Sequence, residues 1–225
     1  MAYEQAEQIV ARQRIIGVRD CHCRHAMALL GHACGYPMEV CLVFGDFVDS
    51  AERAGQARRI RRDEAIDLLH RAETAGLVLQ PTNAQNPAGM CMCCGCCCGI
   101  LRVLKMYDRP ADVAVSPFLV QLDVDACAGC GTCEGRCQME AITLGADGVA
   151  VLREERCIGC GLCVSTCPSE ALSLVRKPAG RQPSIARTTT TAYLGWAWER
   201  DRLTPSKLAE IGLKSAVDRL LAPRR

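Results

Sequence analysis

The sequence predicts an α+β fold in three parts: a small α/β cysteine-rich domain over 1–117, a duplicated strand–helix–strand module over 118–177, and a helical tail over 178–225. Three observations carry that prediction. A segment around 122–144 recurs around 152–174 at a fixed offset of 30 residues. Upstream of it, short aliphatic runs alternate with stretches of helical periodicity. Downstream, a Pro- and Thr-rich stretch leads into spaced aliphatic residues.

The elements follow in order. Residues 3–13 read as a helix, and 14–18 as a short strand leading into Cys21-His22-Cys23-Arg24. A helix over 25–30 ends near Gly31. Cys34, Gly35, Pro37 and Cys41 mark a tight turn region. Residues 42–44 read as a strand, and the chain from Phe47 as helical. The clearest helix spans 62–75: Ala65, Ile66, Leu69 and Ala72 recur at helical spacing, Asp63 and Glu64 occupy the first turn, and Gly76 follows the end. Residues 77–79 form a strand. Asn83, Asn86, Pro87 and Gly89 make a loop that delivers the block from Met90 to Cys98, and 107–117, with two prolines, reads as a linker or connecting strand. In the repeat, each half reads as strand, cysteine loop, short helix, strand. The tail ends in a helix over about 206–221, with Leu208, Ile211, Val217, Leu220 and Leu221 on one face.

Cysteine dominates the chemistry, with 18 in 225 residues. Such density means a disulfide scaffold or a metal protein, and disulfides need an oxidising compartment. The N-terminus has no basic region followed by an apolar run, and no apolar stretch reaches the length of a membrane span. The expected setting is therefore the cytoplasm, where thiols hold metal. With aromatics at only 4%, the core must lean on aliphatic residues and on the metal centres themselves.

Eight cysteines have a specific pattern: Cys127-x2-Cys130-x2-Cys133-x3-Cys137, then Cys157-x2-Cys160-x2-Cys163-x3-Cys167-Pro168. This is the bacterial iron–sulfur run written twice, in which the fourth cysteine of each run serves the other cluster. One [4Fe-4S] cluster is accordingly expected on Cys127, Cys130, Cys133 and Cys167, and a second on Cys157, Cys160, Cys163 and Cys137. Gly129, Gly131, Gly159 and Gly161 permit the backbone turns that bring amides toward sulfur. Zinc also binds paired C-x2-C elements, but three cysteines in a row with a remote fourth, twice over, disfavour it.

Residues 118–175 resemble a bacterial-type 2[4Fe-4S] ferredoxin, a duplicated βαβ module. The resemblance implies one-electron carriage at low potential without substrate chemistry. One departure is Gln138, which follows Cys137 where the family usually has proline.

Ten cysteines remain: Cys21, Cys23, Cys34 and Cys41 early, and Cys91, Cys93, Cys94, Cys96, Cys97 and Cys98 late. Six crowded thiols in one loop cannot all serve one cubane, so early and late cysteines are expected to pair across the fold around one or two further [4Fe-4S] clusters. Some would remain structural thiols. The C-x-C-R element, the Glu64-Ala65 helix ending in Ala75-Gly76-Leu77-Val78, and the C-x-C-C-x-C-C-C block resemble the N-terminal region of a group of uncharacterised 4Fe-4S proteins in which such a region is fused to a dicluster ferredoxin.

Other residues are less decisive. His22 and His25 flank Cys23 as candidate ligands or surface histidines, and Arg24 is a candidate donor to cluster sulfur or a surface arginine. Arg58, Arg59, Arg61 and Arg62 suit a solvated helix start better than a phosphate grip. Trp196 and Trp198 suit tail core or a partner contact. No nucleotide-binding fingerprint is present. Residues 119–175 carry eight acids and three bases, and 176–225 four acids and eleven bases, so the tail is either a docking element or solvated.

The expected function is an electron-transfer subunit relaying single electrons between redox partners, one of them a flavoprotein or metalloenzyme subunit, with neither nucleic acid nor membrane span. Two alternatives stay open: an oxidoreductase subunit whose N-terminal domain holds a substrate-binding cluster, and a redox or iron–sulfur sensor.

Overall fold

The computed structural model describes residues 3–221. They form two compact units, 3–82 with 87–184, and 83–86 with 185–221.

The first unit begins with α1 (Tyr3–Arg12), β1 (Ile16–Asp20), α2 (His22–Leu29), β2 (Glu39–Phe44), α3 (Asp46–Arg53), β3 (Arg58–Ile60), α4 (Arg62–Thr74) and β4 (Val78–Pro81). After β5 (Ala84–Asn86), which belongs to the second unit, come β6 (Gly89–Cys93), α5 (Gly99–Lys105) and α6 (Pro110–Val113). Strands pair in the order β3-β1-β2-β6-β4, every pair antiparallel. Strict alternation in β2 buries Val40, Leu42 and Phe44. With Ile16, Val18, Leu79, Met90 and Met92 they pack against Ala6 and Val10 of α1 and Ala65, Leu69 and Ala72 of α4. The helix expected over 62–75 lies there, and its apolar stripe makes this core.

The dicluster segment continues the same unit. It comprises β7 (Phe118–Leu122), α7 (Thr132–Arg136), β8 (Ile142–Leu144), β9 (Ala150–Leu152) and β10 (Leu172–Arg176). β7 pairs with β10 and β8 with β9, so each ladder joins one half of the repeat to the other. The offset of 30 extends to backbone geometry. Glu140 and Glu170 take φ of 55° and 54°, and Gly129 and Gly159 take 64° and 63°.

Three readings need correction. The 107–117 segment is no free linker: Pro110 opens a helical turn at its first position and is buried, as is Ser116. Residues 84–86 are not loop but a strand in parallel register with β11 (Ala186–Thr188). The partner lies about a hundred residues away, so no local signal announces it. The Thr run does not simply lead to the last helix. Thr188 caps a further helix, α8 (Thr189–Glu199), through a reciprocal capping box with Thr191. The final helix, α9, runs Pro205–Leu221. Leu208 and Ile211 on it are exposed, and the side chains of Val217, Leu220 and Leu221 lie outside the described residues.

Candidate metal centres

Four cysteines line each of two cavities in the dicluster segment, each about 330 Å³ of empty space. The first is bounded by Cys127, Cys130, Cys133 and Cys167, with Leu122, Leu144 and Leu172 as apolar wall. The second is bounded by Cys137, Cys157, Cys160 and Cys163, with Val120, Ile142, Ile158 and Leu162. In both, the fourth cysteine comes from the other half of the repeat.

Local structure explains the placement. Gly159 has a left-handed φ of 63°, and a Cβ there would stand 2.1 Å from the Phe118 carbonyl oxygen. That close approach turns the loop so that Gly159 N–H donates to Cys157 Sγ at 3.4 Å. Ala141 N–H similarly reaches Cys137 Sγ at 3.2 Å, and Ala150 N–H reaches Cys127 Sγ at 3.5 Å. Four thiols, an apolar wall and amides aimed at sulfur fit a [4Fe-4S] group. The two cavities differ in exposure. Burial pushes the Cys157, Cys160 and Cys163 thiols up, whereas Cys130 is exposed and held below the usual thiol range by the Thr132 hydroxyl.

Residues 120–174 match the family model of the 4Fe-4S dicluster domain. The match contains all eight of these cysteines and supports an iron–sulfur domain over this part of the chain. No curated protein matches the chain. Among the described residues no helix is long and apolar enough to cross a membrane.

Upstream of the dicluster domain, the ten other cysteines fall into two groups. In β6, Met90 and Met92 enter the helix-packed core while Cys91 and Cys93 face the other side of the sheet. Cys41 lies directly opposite Cys91. Gln80, also opposite Cys91, donates to Cys98 Sγ at 3.6 Å. The thiols of Cys21, Cys41, Cys91, Cys93 and Cys98 act on one another's protonation in that order, neighbour on neighbour. Burial pushes the Cys23 thiol up, and the charges of Cys98, Cys21 and Cys91 act on it in the same direction. Cys91 is held down to about 3 by hydrogen bonds from Cys41 and then Cys93. Cys41 is pushed up, first by Cys21 and then by Cys91.

The second group is Cys34, Cys94, Cys96 and Cys97, whose four Sγ atoms all lie within 4.8 Å of one another. Beside it sits Arg24, only 2% exposed. Its Nη2 donates to the Met92 carbonyl at 3.0 Å, its Nη1 to the Pro37 carbonyl, and its guanidinium lies 5.6 Å from the centre of the Tyr36 ring. Burial works to lower its pKa, but a hydrogen bond to Cys94 and the charges of Cys94, Cys21 and Cys34 raise it overall. Arg24 is thus a buried cation facing sulfur, not a surface arginine.

The remaining candidates resolve simply. His22 and His25 are exposed, and His22 Nδ1 hydrogen-bonds Arg19 at 3.0 Å. Arg58 pairs with Glu39 and Glu64, Arg59 with Asp49 and Glu52, and Arg61 with Asp63, so carboxylates occupy three members of this basic run, and Arg62 donates to the Gln13 carbonyl at 3.4 Å. Trp196 and Trp198 are 41% and 55% exposed on α8.

Sequence reasoning missed the division of the ten thiols. The alternation Met90-Cys91-Met92-Cys93 carried the signal, since a period of two separates Cys91 and Cys93 from the turn that follows. It also missed Arg136 and Gln138, whose hydrogen bonds join the dicluster domain to the N-terminal region.

Proposed function

We propose that the chain is an electron-transfer protein that relays single electrons through several iron–sulfur centres between redox partner proteins, one of them a flavoprotein or metalloenzyme subunit, in the cytoplasm. A [4Fe-4S] cluster, when bound, takes up and releases one electron. In this reading Cys127, Cys130, Cys133 and Cys167 hold one cluster and Cys137, Cys157, Cys160 and Cys163 the other. The six thiols Cys21, Cys23, Cys41, Cys91, Cys93 and Cys98 hold an N-terminal iron–sulfur centre.

One observation carries the relay. A single apolar cluster contains Cys93 and Cys98 from the N-terminal group together with Ile158 and Leu162 of the dicluster domain, and Cys137 and Cys160 pack against it. Buried apolar side chains therefore lie between the two sets of thiols, and packed protein matter joins them. Cys130, at the exposed end of the other cavity, gives the domain a surface at which a soluble partner can approach.

The domain reading follows: 118–177 is the dicluster module, 1–117 supplies further centres, and 178–225, rich in basic residues, is the docking element. The test is iron and sulfide quantitation with EPR on anaerobically prepared full chain. More than about eight irons per chain is expected, since two cubanes account for about eight. About eight or fewer overturns the N-terminal centre.

A second reading has its own observation. The sheet-face group offers more thiols than the four a cubane uses, and Cys91 within it is exposed. A centre with an iron open to a small substrate would suit an oxidoreductase subunit. Cyanide-dependent change in the N-terminal EPR signal would favour this reading; an unchanged signal removes it.

A further inference from the structure

We propose that Cys34, Cys94, Cys96 and Cys97 bind a single tetrahedral divalent metal ion, zinc for preference, in a site separate from every iron–sulfur centre of the chain. The inference stands apart from the relay and holds whether or not the six sheet-face thiols carry a cluster.

A tetrahedral ion with metal–sulfur bonds of about 2.3 Å places its four thiolates about 3.8 Å apart. The four Sγ atoms here all lie within 4.8 Å of one another, and among the described residues this is the one group of donors found so close together. A cubane puts a four-iron core between its thiolates and holds them farther apart. The eight cysteines lining the dicluster cavities do not gather this tightly.

Four thiolates on a divalent ion leave two net negative charges, and a buried anion requires a cation or hydrogen-bond donors nearby. Arg24 answers this. It is buried, makes no ion pair with any carboxylate among the described residues, hydrogen-bonds Cys94, and leaves its buried Nε without a protein partner. Its charge acts on Cys94 and Cys34 of this site as well as on Cys21 of the sheet-face group.

An all-thiolate tetrahedron suits zinc or iron and excludes the oxygen-seeking ions. Four protein thiolates fill the coordination of a tetrahedral ion, which makes the site closed and structural, with Cys94 and Cys97 buried, Cys34 half-buried and Cys96 exposed. Metal binding releases the thiol protons to solvent and ties Cys34, in the loop before β2, to the turn after β6. That turn leads directly from Cys93 to Cys98, so the ion fixes the spacing of two sheet-face thiols.

Metal analysis of the anaerobically prepared full chain and of Cys96→Ser tests this. Cys96 is the exposed member of the four, so its substitution disturbs the core least. One zinc per chain is expected, with X-ray absorption showing four sulfurs near about 2.3 Å and no neighbouring metal. Cys96→Ser should lose that zinc with iron and sulfide unchanged. One mononuclear high-spin iron, lost in the same way, would equally support a single-ion site. Loss of about four irons with matching sulfide in Cys96→Ser would overturn the proposal in favour of a cubane. Absence of both zinc and mononuclear iron from the parent protein would also overturn it. The iron count that decides the relay is read separately from the same sample.

Discussion

Gln138 Oε1 accepts the backbone N–H of Gly95 at 2.6 Å, so a residue of the dicluster domain holds the turn that carries Cys94, Cys96 and Cys97. The same side chain donates from Nε2 to the Gly76 carbonyl at 2.8 Å and to the Tyr36 hydroxyl at 3.3 Å. Two residues earlier, Arg136 donates to the Glu73 and Thr74 carbonyls at 2.7 and 2.9 Å, satisfying the C-terminal end of α4. Proline is usual after the fourth cysteine in the resembled ferredoxins. Here that position joins two cysteine regions. Gln138→Ala is expected to leave the buried Gly95 N–H unpaired at a cost of about 1–3 kcal/mol. Urea titration followed by the absorbance of the N-terminal centres should show a lower midpoint. An unchanged midpoint would mean that the contact contributes nothing. Gly95→Ala should act in the same direction, because a Cβ there would stand 2.5 Å from the Gln138 carbonyl oxygen.

Gly159 is the most constrained glycine of the dicluster domain. Its φ is left-handed, and the space where a Cβ would go is taken by the Phe118 carbonyl. Since that contact is to backbone, no rotamer change relieves it. Gly159→Ala should cost more than about 2 kcal/mol and prevent the Cys157–Cys163 loop from closing. The expected result is loss of roughly half the dicluster iron. Gly180→Ala, at a glycine with open space around it, should retain full iron and serves as the control.

Cys167 ends the second cysteine run in sequence yet lines the cavity of the first. Cys167→Ala should therefore degrade the cluster of Cys127, Cys130 and Cys133 and spare that of Cys157, Cys160 and Cys163. Cys137→Ala should do the reverse. EPR of the reduced protein reads the difference, since two interacting clusters give a broadened spectrum and one remaining cluster a simple one. If Cys167→Ala removed the cluster of Cys157 instead, the crossed assignment would be wrong.

The extent to which the chain could be read in advance follows from the range of its interactions. The helix of Ala65, Leu69 and Ala72 was legible because its stripe faces one core and its stop is local. The cysteines that line the two dicluster cavities are the ones the spacing of the two runs groups together, because that spacing is local and repeats. The strand at 84–86 was not, since its pairing depends on Ala186 and Thr188 far along the chain. The six-and-four division of the N-terminal thiols depends on cross-strand register, Cys41 opposite Cys91, which cysteine spacing does not encode. Gln138 looked like a lost proline because its partners, Gly95, Gly76 and Tyr36, come from three separate segments.

Lys177 bears on the buried cluster site. It is only 7% exposed, its Nζ donates to the Ala111 carbonyl at 3.5 Å, and its charge acts on Cys157. Burial, and then the neighbouring Arg181, lower its pKa from the usual lysine value. A buried ammonium whose charge acts on Cys157 would favour, for a cluster held there, the form carrying the added electron. Lys177→Met should therefore make the reduction potential of the Cys157 cluster more negative and leave that of the Cys127 cluster nearly unchanged. The pH dependence has a definite sign. Because the folded-state pKa is depressed, the unfolded chain binds more protons between the two pKa values, so stability rises with pH across that window and falls again as pH drops through the folded pKa. Loss of the same proton removes the positive charge, so the potential of the parent protein should fall as pH rises through the depressed pKa. Lys177→Met should abolish that dependence. Potentiometric titration over the alkaline range measures both effects, and identical curves for parent and variant would show that Lys177 does not act on the cluster.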